Sequence, residues 1–423
     1  MSSPSRERSA VWHPFTQHAL MGEIPVIARA EGAWLETSGG RRIIDAISSW
    51  WVTLHGHAQP EIATAIANQA GRLEQVIFAG FTHVPAERLA EKLMGIAPKG
   101  LSHVFYSDSG STSVEVALKM ALGFWRNTGR PRTRVVALEH GYHGDTTGAM
   151  SAGARGIFTA AYEPMLFECA RIPFPHKGRE QETIDALESC CKEDVPAALI
   201  VEPLILGAGG MLTYPATTLA EMKRVCERYG TLLIADEVMT GWGRTGTLFA
   251  SEQAGITPDI LCLAKGLTGG ALPLAVTLCR PEIFDAHLSA DRTRTFFHSS
   301  SYTANPICCA AALANLEVWE SEPVSERVAA LSRDQAGRLQ SLAEDKRFLN
   351  PRQLGTITAI DLDVRDPGYL AQAGAKLYAF CLKRGVLLRP LGNTIYVMPP
   401  YCTIGSELDL VYGVIREAAR ARD

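Results

Sequence analysis

One lysine interrupts a long apolar run. In DILCLAKGLTGGALPLAV, residues 259–276, Lys265 stands among Leu, Ala and Val, and glycines follow at once. A buried ammonium is costly unless it is paired or neutralised, so Lys265 needs either a partner or a chemical task; the plainer alternative is a lysine snorkelling at a strand edge. In TLLIADEVMTG, Asp236 closes an apolar strand, the place where ligands sit in open α/β sheets. A carboxylate buried there is useful only against a cation, and a capping or turn aspartate is the other reading. Upstream, Val114, Ala117, Leu118, Ala121, Leu122 and Trp125 follow the stripe of a core-facing helix, which places Ser109, Gly110 and Ser111 at its N-terminus. Free backbone N–H groups, the positive end of the dipole and two hydroxyls make a phosphate site there, with simple serine capping as the alternative. Tyr142, in the glycine-flanked loop EHGYHGDTTG beyond another strand, is placed to stack on a flat ring unless it is an ordinary surface tyrosine.

Desolvation lowers the basicity of a lysine and makes it nucleophilic. A lysine in apolar surroundings, an acid at a strand end, a phosphate-binding helix start and a stacking aromatic together meet the needs of pyridoxal 5'-phosphate. A competing signal, GWGRTG at 241–246, matches the dinucleotide fingerprint G-x-G-x-x-G, with Asp259 downstream. Asp236 to Thr240 separate its first glycine from the strand and no βαβ unit opens there, which argues against a nicotinamide cofactor. His55 with His57, and His140 with His143, lack the further ligands of a zinc-type spacing, so no metal site is expected.

These side chains need a scaffold. Short apolar runs alternate with helical patterns between residues 100 and 280: HVFYS, RVVALE, AALIVEP, TLLIADEV, DILCLA and LPLAVTLC. Buried runs separated by helices predict an α/β fold with a mostly parallel sheet covered on both faces. The helix TTLAEMKRVCERYG stops on Gly230. Beyond residue 315 a helix, a strand, a second helix and a hairpin-like pair, VLLRPLGNTIYVMPP, suggest a smaller α+β unit. The expected division is an N-terminal segment, 1–48, packing on the small unit through a hairpin in AWLETSGGRRIIDA; a large cofactor-binding domain, 49–315; and a small α+β domain, 316–423. With 423 residues, 47% of them hydrophobic, the chain has ample core. A net charge of −4 and no basic stripe argue against a nucleic-acid partner. No apolar run long enough to span a membrane occurs, and the opening MSSPSRERSAVWHPF lacks a signal-type apolar core, so a cytoplasmic protein with reduced cysteines is expected.

The strings LLIADEVMTGWGRTG, DILCLAKGLTGG, SDSGSTSVEVALKMA, GYHGDTTGAMS and HSSSYTANPICCAAA resemble class III (omega) aminotransferases of fold type I over nearly the whole chain. WHPFTQ, AISSWWVTLHGH and LLRPLGNTIYVMPPY are similar to the biotin-pathway members of that family. The resemblance implies a seven-stranded, mostly parallel sheet, Lys265 as Schiff-base lysine and proton shuttle, and Asp236 as the partner of the pyridine nitrogen. Gly110 and Ser111 would hold the phosphate, and Tyr142 would stack on the ring or line the substrate cavity. Trp50 and Trp51 would wall a channel for a long apolar acceptor, and Arg389 would bind the carboxylate of 8-amino-7-oxononanoate. The stretch Ser299, Ser300, Ser301 would reach the phosphate in a neighbouring subunit, which implies a homodimer with shared sites. Two departures stand out. Many relatives have Gly at the position of Ser299 and Thr at that of Ser301. Relatives that take the amino group from S-adenosylmethionine typically carry Tyr where this chain has Phe15, and a minority use lysine as donor. Other omega-aminotransferases, acting on diamines, ornithine or β-alanine, are the nearest alternative, against which Trp50, Trp51 and Arg389 argue. A non-catalytic protein on the same fold is disfavoured because every reactive position is intact.

Overall fold

The computed structural model describes residues 10–20, 22, 24–370 and 372–421. Residues 1–9, which open the expected N-terminal segment and begin the stretch read as lacking a signal sequence, lie outside the described residues. A central sheet is built from β1 (His103–Ser107), β2 (Val135–Leu138), β3 (Ala170–Ile172), β4 (Ala198–Val201), β5 (Leu232–Asp236), β6 (Ile260–Leu263) and β7 (Ala275–Cys279). Their order across the sheet is β1-β7-β6-β5-β4-β2-β3. Only β7 runs against its neighbours, antiparallel to both β1 and β6; the other pairs are parallel. The mostly parallel α/β sheet is thus the fold read from the sequence.

Every residue of β2, β4, β5 and β6 is buried, as a strand covered on both faces requires. The helix Gly110–Asn127, α1, lays Val114, Ala117, Leu118, Ala121 and Trp125 on one face, against Ile200, Ile234 and Cys262. The helix Ala216–Tyr229, α2, covers the other face with Leu219, Met222 and Cys226 against Leu199, Val201 and Leu233. It ends on Gly230 at φ +69°, a left-handed C-terminal stop that glycine adopts without steric cost. The strand missing from the sequence reading is β3. It is three residues long, carries Arg171 at its centre and pairs only with β2 at the sheet edge, so no apolar run marks it.

The N-terminal strand Trp34–Thr37 pairs with Arg42–Asp45 as the expected hairpin. The expected pair in 386–400 is not one. Val386–Leu387 runs parallel to Arg42–Asp45, whereas Thr394–Val397 pairs antiparallel with Ile357–Leu362 in a separate three-stranded sheet. Pro390, which has no N–H to give a ladder, stands between the two strands, and only the Leu391–Thr394 bridge remains of a hairpin. Packed on these sheets are the helices Val324–Ala343, Gln372–Lys383 and Gly405–Arg420.

Candidate active site

Strand direction brings the chemistry to one edge. Asp236 is the last residue of β5 and pairs in register with Cys262 of β6, so Lys265, three residues further on, emerges beside it. Glu202 follows β4, Tyr142 and His143 follow β2, and α1 begins just after β1, all at the same carboxyl-end rim where open α/β sheets bind ligands. They surround a cavity of about 400 Å³, lined among others by Lys265, Asp236, Tyr142, Gly110, Ser111 and Trp51.

Lys265 has φ +45°, in the left-handed region. Its Nζ lies 4.8 Å from the centre of the Trp51 ring. Burial pulls its ammonium down to about 8, against the opposing pull of Asp236 and Glu202. Asp236 is almost fully buried; one carboxylate oxygen sits 2.7 Å from His143 Nδ1, and the other accepts the Val238 N–H at 3.1 Å. His143, weighed in the sequence only as a possible metal ligand, therefore orients the carboxylate. His57 likewise meets Asp45, at 2.9 Å. Among the described residues no cluster of three or more His, Cys, Asp or Glu is placed to hold a metal ion.

Glu202 is the other residue that the sequence reading passed over. Its carboxylate accepts the N–H groups of Tyr142 and Gly207, each at 2.9 Å, and so ties the Tyr142 loop to β4. Burial pushes its carboxyl up to about 7, moderated by His143. The signal was present in AALIVEP, an acid at a strand end like Asp236, whereas nothing local links His143 to a partner 93 residues away.

At the start of α1, Ser109 and Thr112 form a capping box, each side chain accepting the other's backbone N–H. That leaves the N–H groups of Gly110 and Ser111, which have no partner within a helix's first turn, as donors beside the Ser111 hydroxyl. A Cβ on Gly110 would lie 2.6 Å from Val238 Cγ1, so the cradle closes tightly against the segment after Asp236. Donors at a helix start, an acid held by a histidine, an exposed tyrosine ring on the cavity wall and a lysine of lowered basicity fit a phosphorylated, pyridine-type group.

Not every expected residue faces this cavity. Trp51 lines it and donates through Nε1 to Tyr396 Oη at 3.0 Å. The Ser48–Trp51 turn is strained, with Ser48, Ser49 and Trp51 at positive φ, and Asp45 ties it down by accepting the Ile47 and Ser49 N–H groups. Trp50 points elsewhere, into a cluster with Phe15, 5.6 Å between ring centres, and Arg389, whose guanidinium carbon sits 4.9 Å from the ring centre. Among the described residues no carboxylate pairs with Arg389. Ser299, Ser300 and Ser301 lie outside the cavity in a turn closed by Thr303, with Ser299 and Ser301 exposed.

Comparison with known proteins gives the same picture. The aminotransferase class-III family matches residues 18–419. The adenosylmethionine-8-amino-7-oxononanoate aminotransferase of Synechococcus elongatus is 46% identical over 96% of this chain and 97% of its own. The crystal structure of the enzyme of that name from Methanocaldococcus jannaschii superposes with a TM-score of 0.93 at 35% identity, covering 97% of each chain. An amine transaminase from an uncultivated Pseudomonas species, in its PLP-bound form, gives 0.92 at 34% identity over 98% of this chain and 99% of its own. The chain belongs to the class-III aminotransferases, enzymes whose amino transfer depends on pyridoxal 5'-phosphate.

Proposed function

We propose that this aminotransferase moves an amino group from S-adenosylmethionine to 8-amino-7-oxononanoate, giving 7,8-diaminononanoate for biotin synthesis. The observation that carries the reading is Arg389: a guanidinium over the Trp50 ring, paired with no carboxylate among the described residues, is a receptor for a substrate carboxylate. The names of relatives at 37% to 46% identity support it. Trp51 supplies an aromatic wall of the cavity, and the separate cluster of Trp50 with Phe15 and Arg389 supplies the aromatic surface that a polymethylene chain and a sulfonium would meet beyond it.

When bound, pyridoxal phosphate supplies an aldehyde that carries the amino group and an electron sink for the departing proton's electrons. The residues supply the rest. Gly110 and Ser111 hold the phosphate at the start of α1. Asp236, kept in place by His143, holds a proton on the ring nitrogen. Tyr142 covers the ring. Lys265 Nζ, with its ammonium lowered to about 8, is neutral often enough near pH 8 to take the proton from the donor carbon and return it on the other side of the transfer.

The chain works as a homodimer in this reading, with Ser300 and Ser301 completing the partner's phosphate site and Ser299 the partner's substrate site. It works in the cytoplasm; among the described residues no helix is long and apolar enough to cross a membrane.

The test follows each half-reaction separately by absorbance in a stopped flow. S-adenosylmethionine should convert the cofactor from its aldehyde to its amine form, and lysine should not. Arg389→Ala should leave that half unchanged and raise KM for 8-amino-7-oxononanoate by roughly 30- to 1,000-fold, the equivalent of about 2–4 kcal/mol for a desolvated charge pair. Conversion by lysine alone would replace the donor and keep the acceptor, whereas an equal loss in both halves would make Arg389 structural.

A further inference from the structure

The helix Pro306–Ser321 carries a fully buried amide, Asn315, in its interior. A buried amide is retained at a cost unless its polar atoms are paired, and here all of them are. Asn315 Nδ2 donates to Gly266 O and Leu267 O, each at 3.1 Å, and Oδ1 lies 2.8 Å from His55 Nε2. Because both amide protons go to carbonyls, Oδ1 must face the imidazole, and His55 donates through Nε2. His55 Nδ1 is buried with no partner among the described residues. Burial pushes the imidazole below its ordinary value, against the pull of its hydrogen bond to Asn315, so the ring is the neutral Nε2–H tautomer.

The two carbonyls that Asn315 takes belong to the residues directly after Lys265. That lysine is held at φ +45°, a conformation in which a Cβ is crowded. The turn closes on itself through Leu267 N–H to Ala264 O and Gly269 N–H to Gly266 O, both at 2.9 Å. A Cβ on Gly269 would come within 3.3 Å of Asn315 Oδ1, so the turn is seated directly on the amide. Trp319 and Tyr401 stand edge-on to the His55 ring, 6.0 and 6.5 Å between centres, and fix its plane. Neither His55 nor Asn315 lines the cavity.

We propose that His55 and Asn315 are a positioning pair for the cofactor lysine: His55 fixes the orientation of the amide, and the amide holds the strained turn that presents Lys265 Nζ to the cavity. The inference rests on Lys265 being the lysine that bonds the cofactor.

The test uses cofactor-free enzyme and two ligands. Pyridoxal phosphate is captured covalently, as Lys265 Nζ condenses with its aldehyde, a C=N bond forms and one water leaves. Pyridoxamine phosphate occupies the same site without needing the lysine. Asn315→Leu and His55→Phe should slow capture by about tenfold or more, the effect of losing a pre-set geometry, while pyridoxamine phosphate affinity stays within about threefold. His55→Gln, which keeps a donor near Nε2, should restore capture. Unchanged capture in both variants overturns the proposal, and so does a parallel loss of both ligands. If Asn315→Leu fails to fold, the contrast between His55→Phe and His55→Gln decides alone. Lys265→Ala is the control: covalent capture surviving in it overturns the lysine assignment and the role of the pair together, whereas capture lost there and unaffected by the pair overturns the pair alone.

Discussion

Lys265 combines two features that single residues rarely carry together, a left-handed backbone and a lowered ammonium. Both cost stability, and both suit a nucleophile: strain fixes the direction of Nζ, and desolvation keeps the amine neutral. Only the neutral amine attacks an aldehyde, so the rate of pyridoxal phosphate capture by cofactor-free enzyme should climb as pH rises through about 8 and level off above it. An exposed lysine would still be climbing beyond about 10. A capture profile with its midpoint near that higher value would show that the burial of Lys265 does not tune its chemistry. Lys265, Asp236, Tyr142, Gly110 and Ser111 could be picked out in the sequence because each follows a recognisable strand or opens a recognisable helix. His143 and Glu202 act through contacts made in space, with Asp236 and with the Tyr142 loop, and that is where the sequence reading fell short.

At the scale of elements, one rule does most of the positioning: the β5–β6 register and the shared strand direction put the residues after β1, β2, β4, β5 and β6 on one rim. The start of α1 must then approach the segment after β5 closely, and Gly110 is what permits it. In Gly110→Ala the new Cβ would meet the stiff, β-branched Val238 side chain. We expect a loss of about 1–3 kcal/mol from overpacking, read as a lower denaturation midpoint, together with weaker binding of pyridoxamine phosphate. A variant with unchanged stability and affinity would mean that α1 can slide without consequence. Two elements departed from expectation for the same reason. The short edge strand β3 and the divergent halves of 386–397 are defined by which neighbours they pair with, and pairing is not written in a local apolar pattern.

At the scale of the whole molecule, the turn around Ser299–Ser301 sits away from the cavity of its own chain, beside the exposed apolar side chains Phe297 and Tyr302. In the proposed homodimer that surface is covered and each site borrows from its partner. Shared sites predict complementation. Lys265→Ala and Ser301→Glu, each nearly inactive alone, should regain up to about a quarter of wild-type activity when unfolded and refolded together, because half the dimers would be hybrids with one intact site in two. No recovery from a mixture that demonstrably contains hybrid dimers would show that each chain's site is self-sufficient.

The sequence by itself determined the fold class and the cofactor, since these rest on apolar runs, helix stripes and strand-end residues that are local in the chain, and the family followed from the resemblance of its longer motif strings. It also singled out Lys265, which lines the cavity, because a lone cation in an apolar run is conspicuous without any partner in view. Only the tertiary structure decided which groups serve those residues: His143 for Asp236, Glu202 for the Tyr142 loop, and Asn315 with His55 for the turn at Lys265. It also separated Trp51, in the cavity wall, from Trp50, which turns to Arg389 and Phe15. Hydrogen bonds between residues far apart in sequence depend on how sheets and helices pack, and a strained turn depends on what holds it, so neither leaves a periodicity to read.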